Sequence, residues 1–448
     1  MRLLSFHKIG SNRDTPRIFL DSARLATFGF GPGTRYSLEQ GHRRITLRPA
    51  PTNGKYTVSS RRAAGGVNPV IDLASRITLA SLAEFTEARV TAVQDSITIT
   101  PSVRAFHIRR ALNAEPPFRV VEFFAGGGTL SKAFDQSPYF NVIAGMEIDT
   151  AYADCWQAAH PDATLIQGDI RLINPCESPA HEILVAGIPC TDHSTMGRAK
   201  KGLAGRPELG GTGDLFIHVL AHIQHHTPLV CLFENVPSFG TSLAGETLKA
   251  SLRQIGYDVS EMTTSPNAEW NEPSDRTRWV CVATLIPGFA IQSPMKPFAG
   301  KASDYLDAAD PVQDKLDAER IATTITGLRA HNARHQAMGH GFGFTTLNGS
   351  ETKIPTIVKS YFKINVGPFV ETAFGPRMLR KHEIEKIQGC EVSTPHYATA
   401  VQILGQGVQT RVFSQIVDQL AAFLINPKGI VVSAPIPVEF GQLSLFAA

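Results

Sequence analysis

The sequence predicts an α/β chain: a doubly wound, mainly parallel sheet from about residue 116 onward, with an added N-terminal domain that is mainly β. Three observations carry this. From Phe118, short apolar runs alternate with helix-like segments, the pattern of neighbouring strands joined by crossover helices. Before that point, residues 16–100 hold only short β-branched runs cut by Gly, Pro and Asn turns. Charge separates the same two parts, since residues 1–115 carry 17 Lys and Arg against 8 Asp and Glu, whereas the remainder carries 26 against 32.

Taken in order, the N-terminal strands are expected at 44–47, 56–59, 67–73 and 96–100, inside a basic domain of residues 1–115. The sheet strands follow at 119–124, 142–148, 164–168, 183–188, 229–233 and 279–285, within a unit spanning 116–288. Residues 289–353 are rich in Gly, His and short polar turns and show no clear period, so they read as a small region outside the sheet. Residues 354–426 return to the main unit through an extended piece and two helices, 381–388 and 409–424, and 427–448 read as a tail.

With 448 residues, 43% of them hydrophobic, the chain can bury the cores of two or three domains. No run of 18 apolar residues occurs and the N-terminus lacks an apolar leader, so neither a membrane span nor secretion is expected, and a cytoplasmic protein is. The six cysteines have no CxxC pairing and no zinc-like spacing to histidine; they read as reduced thiols, and no metal is expected. The basic N-terminal domain predicts contact with a polyanion, because sequence-independent phosphate attraction needs clustered positive charge.

Chemistry concentrates at predicted strand ends. Glu122-Phe123-Phe124-Ala125-Gly126-Gly127-Gly128-Thr129 is a glycine turn between a strand and a helix, where backbone can approach a ligand closely. It lacks the Lys-Ser/Thr of a phosphate cradle. Glu147 ends the next strand, where an acid commonly accepts from ribose hydroxyls, and Asp169 ends the third, where it can accept from an adenine amino group. These features fit an adenosyl ligand without phosphates. Pro189-Cys190 closes the run 182–188, and Glu234-Asn235-Val236 closes another, so a thiol and an acid are expected on the same rim.

Phe-Ala-Gly-Gly-Gly at 124–128, Gly-Ile-Pro-Cys at 187–190, Glu-Asn-Val at 234–236 and Arg276-Thr277-Arg278, in that order, resemble the DNA cytosine-5 methyltransferases. Arg377-Met378-Leu379, Glu383, Gln388-Gly389 and the segment 402–408 resemble the family's late motifs. The resemblance spans about Val120 to Leu424 and implies a Rossmann-like class I methyltransferase sheet with a small target-recognition region. It implies that Cys190 attacks carbon 6 of a flipped cytosine, that Glu234 holds ring nitrogen 3, and that Arg276 and Arg278 anchor the base, a phosphate or the catalytic loop. It also implies an S-adenosyl-L-methionine pocket lined by Phe124, Ala125, Gly126, Gly128, Glu147, Asp169, Pro189, Gly405, Gln406 and Val408, with residues 191–213 as a closing loop. Thr191, Ser274 and Gln406-Gly407 depart from the residues usual at those places.

The implied activity is DNA cytosine-5 methylation on double-stranded DNA. The alternatives are a tRNA cytosine-5 methyltransferase and a catalytically silent DNA-binding protein on the same fold. Target choice is expected in 289–353, where residues 331–344 offer Arg334 for guanine contact. The tail segment Gln442-Leu443-Ser444-Leu445-Phe446 resembles the peptide with which bacterial proteins dock on the replication sliding clamp. Removing the last seven residues is therefore expected to abolish retention of the protein on immobilised clamp, and equal retention of both forms contradicts that reading.

Overall fold

The computed structural model describes residues 1–12, 15–63, 66–189, 211–339 and 344–425. Cys190, the segment 191–210 and the tail peptide Gln442 to Phe446 lie outside the described residues. The chain divides into two compact units that meet in sequence between Asn113 and Ala114.

The N-terminal unit holds two antiparallel sheets among the described residues. The larger runs β1 (Leu3–Lys8), β9 (Glu87–Val93), β10 (Ser96–Pro101), β5 (Arg44–Pro49), β4 (Arg35–Gly41) and β6 (Tyr56–Thr57) in spatial order. The smaller runs β2 (Gly10–Asn12), β3 (Thr15–Asp21), β8 (Gly66–Ala74) and β7 (Ser59–Ala63). Strict alternation sends every second side chain inward: Ala88, Val90 and Ala92 of β9 and Ile97 and Ile99 of β10 are buried, while the residues between them are not. They join Ile18 and Leu20 of β3 and Ile71 and Leu73 of β8 in one core.

The second unit is built on a seven-stranded sheet among the described residues, in the order β13-β12-β11-β14-β15-β18-β16. These strands are β11 (Phe118–Phe123), β12 (Phe140–Glu147), β13 (Thr164–Gln167), β14 (Ile183–Gly187), β15 (Val230–Asn235), β16 (Asp258–Thr264) and β18 (Arg278–Thr284), with the two-residue β17 (Ser274–Asp275) between the last two in sequence. β18 runs antiparallel to both neighbours, and the other neighbouring pairs are parallel. The chain winds outward from β11 to β13 and then restarts on the other side with β14, so a crevice opens between β11 and β14 at the carboxyl ends. Burial on both faces explains the continuous apolar runs that made these strands legible. The sequence reading missed β16, whose half-buried, polar pattern carries no such run.

Helices cover the sheet through narrow apolar faces. In α5 (Leu243–Ile255), Ser242 caps the N-terminus by accepting from Gly245 N, Gly256 ends it at φ 107°, and Ala244, Leu248 and Leu252 form the buried stripe. In α3 (Thr150–Ala159), Trp156 seats its indole against Gly145 of β12, where any Cβ would collide with the ring. A second core gathers Tyr361, Phe369, Ile384, Ile387, Val401 and Leu404.

Residues 289–352 differ from expectation. They contain the longest helix described, α6 (Pro311–Ala337), capped by Asp310. Its buried stripe consists of Asp314, Ala318, Ile321 and Ile325, too sparse in large apolar residues to give a visible period. Instead the helix is fixed by charge: buried Arg377 donates to Asp314 at 3.0 Å and to both carboxylate oxygens of Glu383 at 2.8 Å. The helix α8 (Tyr397–Gln406) likewise differs from expectation, although it holds part of the motif at 402–408. None of the helices among the described residues is long and apolar enough to cross a membrane.

One buried group links fold to pH. Glu122 accepts from Ser131 N at 3.2 Å and from the Trp156 indole at 2.8 Å, and so ties β11 to α3. Burial pushes its carboxyl up to about 7, against the pull of those hydrogen bonds and of His160. Burial alone would lower His160, but its bond to Asp135 and the Asp135 and Glu122 charges outweigh that and raise it. Both groups therefore bind protons more tightly when folded, and their contribution is lost as pH rises through the folded values. Between about pH 5 and pH 8 stability is expected to fall, by at most roughly 3 kcal/mol from Glu122. In Glu122→Gln, calorimetry should find lower stability in acid and a flatter pH slope; an unchanged slope contradicts this account.

Candidate active site

The carboxyl ends of β11, β12, β14 and β15 open into one cavity of about 410 Å³. The β11 end reaches it through a tight turn: Phe124 sits at φ 56°, Gly126 at φ 54° and Gly128 at φ 84°. A left-handed backbone at a phenylalanine is uncommon, and it is held here by the bond from Ala125 N to Met146 O at 2.9 Å. Open space surrounds the position of a Cβ on Gly126, so backbone faces the cavity directly, whereas Gly127 is pressed against Ile403 of α8. Gly128 does not line the cavity; its missing Cβ leaves room for Trp156, His160 and Ser131 behind the turn.

Glu147 closes the turn. Its Oε2 accepts from Gly126 N at 2.7 Å, and its Oε1 accepts from Ile148 N and Asp149 N, both at 2.8 Å. A carboxylate offers about four lone-pair sites, so about one remains for a ligand hydroxyl. Asp169 lines the same space and is held by Arg171, which donates to it from its backbone N and from Nη1. Arg171 also donates to Asp214 at 2.9 Å.

The β15 end supplies Glu234 and Asn235. Glu234 is 7% exposed, lines the cavity, and pairs with Arg278 Nε at 2.8 Å. Burial pushes its carboxyl up, against the attraction of Arg278 and Arg276. Asn235 donates to Ile188 O at 3.0 Å and so fixes the chain just before Pro189, which lines the cavity. Arg276 does not line the cavity; it is buried and donates to Ile357 O at 3.3 Å. Ser274 is buried in β17, which pairs in parallel with Ile354–Pro355. Both residues thus fasten the arginine segment to the return of the chain.

Four of the five described cysteines are held as thiols. Burial raises Cys155, raises Cys231, pushes Cys281 up to about 12 and pushes Cys390 up to about 11. A nucleophile needs the thiolate, so none of these four is suited to attack. Cys176, the fifth, is exposed and lies outside the cavity lining.

The late segment completes the wall. Gln406 and Val408 line the cavity, whereas Gly405 lies against the backbone of Val358 and Lys359, where a Cβ has no room. A Cβ on Gly407 would collide with Thr129, whose hydroxyl accepts from Val408 N at 3.3 Å. Glycine at 407 and threonine at 129 are therefore one packing solution, which accounts for the departure at 407. The sequence reading omitted Ile148, Tyr152, Arg171 and Lys359 from the lining. Ile148 and Arg171 follow two of the chosen acids closely in sequence, but Lys359, whose ammonium lies 5.1 Å from the Tyr152 ring centre, gave no such signal.

The sequence profile of C-5 cytosine-specific DNA methylases matches residues 118–422. The Type II methyltransferase M.NlaX of Neisseria lactamica is 28% identical over 68% of this chain and 97% of its own. The Type II methyltransferase M1.ScrFI of Lactococcus lactis subsp. cremoris is 25% identical over 64% of this chain and 72% of its own. Among solved structures, the S. pombe Dnmt2 methyltransferase superposes with a TM-score of 0.53 at 17% identity, over 69% of this chain and 99% of its own, a likeness of fold. With the profile spanning about two thirds of the sequence and the glycine turn, Glu147 and Glu234 gathered at one rim, the chain belongs to the C-5 cytosine-specific DNA methylase family.

Proposed function

We propose that this chain transfers a methyl group from S-adenosylmethionine to carbon 5 of a cytosine turned out of duplex DNA. One observation carries the reading: a single cavity is lined both by the glycine turn with Glu147 and Asp169 and by Glu234 with Arg278. The residues fit an adenosyl ligand. Gly126 leaves its backbone open to a ligand, Glu147 keeps acceptor capacity for a ribose hydroxyl, and the apolar, 63% exposed Ile148 offers a platform for a flat base. The lining arginines, Arg171 and Arg278, are already paired with carboxylates, which disfavours a phosphate-rich ligand. Bound there, S-adenosylmethionine supplies an electrophilic methyl group.

The chain's own residues do the rest. Cys190 follows Pro189 directly, and its thiolate forms the bond to carbon 6 while Glu234 gives a proton to ring nitrogen 3. The electron pair then resides at carbon 5, where the methyl group would be received and S-adenosylhomocysteine released; the carbon 5 proton passes to water, expulsion of the thiolate restores the ring, and ring nitrogen 3 returns its proton to Glu234. Burial favours this role, because it raises the affinity of the Glu234 carboxyl for a proton against the attraction of Arg278 and Arg276, and Arg278 orients the group. The family match and the Type II relatives favour DNA over RNA as substrate.

Glu234→Gln keeps a hydrogen-bond donor but cannot transfer a proton. It is expected to slow methyl transfer by about 10²–10⁴-fold, with binding of S-adenosylhomocysteine changed less than about threefold, as calorimetry would measure. Labelled methyl groups should enter duplex DNA and not tRNA in a competition assay. Preferential labelling of tRNA, or full activity of Glu234→Gln, contradicts the proposal.

A further inference from the structure

The N-terminal unit lies outside the family match and carries all of the chain's excess positive charge, since the rest of the chain is net acidic. Its two sheets treat that charge differently. On the smaller sheet, the outward Arg17 of β3 pairs with Asp72 of β8 at 2.8 Å, and Arg61 of β7 pairs with Asp21 at 2.8 Å. Elsewhere in the unit, Glu84 is engaged by Arg43 and Arg109. Asp21 and Asp72 are therefore spent on the smaller sheet, and Glu84 on Arg43 at the turn between β4 and β5 of the larger one.

The face of the larger sheet opposite its core is built otherwise. The register places Thr91, Thr98 and Thr46 side by side across β9, β10 and β5. Arg89 stands between Phe6 and Thr100, Arg48 stands opposite Ser37, and Arg44 opens β5 beside Gly41. Arg44 and Arg48 are exposed, and neither they nor Arg89 has a carboxylate within 4.0 Å among the described residues. The acids on this face are Glu39 and Glu87, against Lys8, Arg35, Arg44, Arg48 and Arg89. Exposed Arg44 and Arg48, which have no carboxylate partner among the described residues, lie beside the half-buried Thr91 and Thr98, and such groups hold phosphate oxygens without reading bases. Phe6 at 57% exposed and Leu4 at 49% border the same face and add apolar contact.

We propose that this face, centred on Arg44, Arg48 and Arg89, is a second nucleic-acid surface that holds the phosphate backbone of duplex DNA independently of sequence. The proposal rests on the reading that the chain acts on duplex DNA. The surface supplies grip, so that the cavity's unit is not alone in binding the polymer; cofactor binding does not depend on it.

The test uses the full chain and a random-sequence duplex, with affinity measured against salt. Arg44→Gln/Arg48→Gln should weaken binding by about tenfold near 0.1 M salt and reduce the log–log salt slope by about 1.8, the counterion release of two phosphate contacts. Arg17→Gln/Arg61→Gln removes the same charge from ion-paired arginines and should change affinity less than about twofold. Glu39→Gln, which removes an acid from the face, should raise affinity severalfold and provides the test if the double variant fails to fold. S-adenosylhomocysteine binding should stay constant throughout. If the wild type binds duplex DNA and all three variants bind equally, this surface is overturned while the catalytic reading stands. If the wild type binds no DNA, both fall. Loss of binding to anionic lipid vesicles alone, with DNA affinity unchanged, would assign the face to a membrane surface and overturn the proposal.

Discussion

The parallel register of β11, β14 and β15 is the constraint on which the cavity depends. Val121 to Phe123 pair with Leu184 to Ala186, and Leu184 to Gly187 pair in turn with Cys231 to Glu234. Three strands that run the same way and end level present their last residues to one space. A slip of one residue in β15 would turn Glu234 from one face of the sheet to the other. The register is secured by burial, since Leu184, Ala186, Cys231 and Phe233 have no exposed surface. Asn235 then carries the alignment past the end of the sheet, because its bond to Ile188 O fixes the approach to Pro189.

Around this frame, polar groups are placed where apolar packing alone would be more stable. Glu234 with Arg278, Glu122 under Trp156, and Arg377 with Asp314 and Glu383 are all largely withdrawn from water. Buried ion pairs contribute little net stability, since desolvation offsets their attraction, but removing one partner leaves a costly bare charge. They therefore act as alignment devices. Arg377 joins α6 to α7 (Lys381–Gln388), and Glu122 joins the glycine strand to α3. Glu122 and Glu234 both line the cavity, and of the two Glu234 is the one paired with an arginine.

How much of this could be read in the sequence follows from what each element buries. Strands β11, β14 and β15 are apolar on both faces and were legible, as were the glycine turn and the acids at strand ends. β16 escaped because half of its residues face polar surroundings. The helix α6 escaped because Asp314 holds it through Arg377, and a partner 63 residues away leaves no local period. At the site, Glu147, Asp169, Glu234 and Pro189 converge as the strand-end argument requires. Arg276, Gly128 and Gly405 turned out to support the wall from behind, which only packing reveals: a missing Cβ toward Trp156 or toward Val358 has no signature in sequence. Lys359 lines the cavity through a loop with no pattern of its own.

The proposed chemistry needs the buried Glu234 carboxyl and the thiol of Cys190, next in sequence after Pro189, at one base. Its most direct test is bisulfite sequencing of DNA from a host without cytosine methylation of its own, after expression of the wild type and of Cys190→Ala. The account predicts protected cytosines at a recurring site with the wild type and none with Cys190→Ala. Protection in both, or in neither when both proteins are folded and present in equal amount, would contradict it.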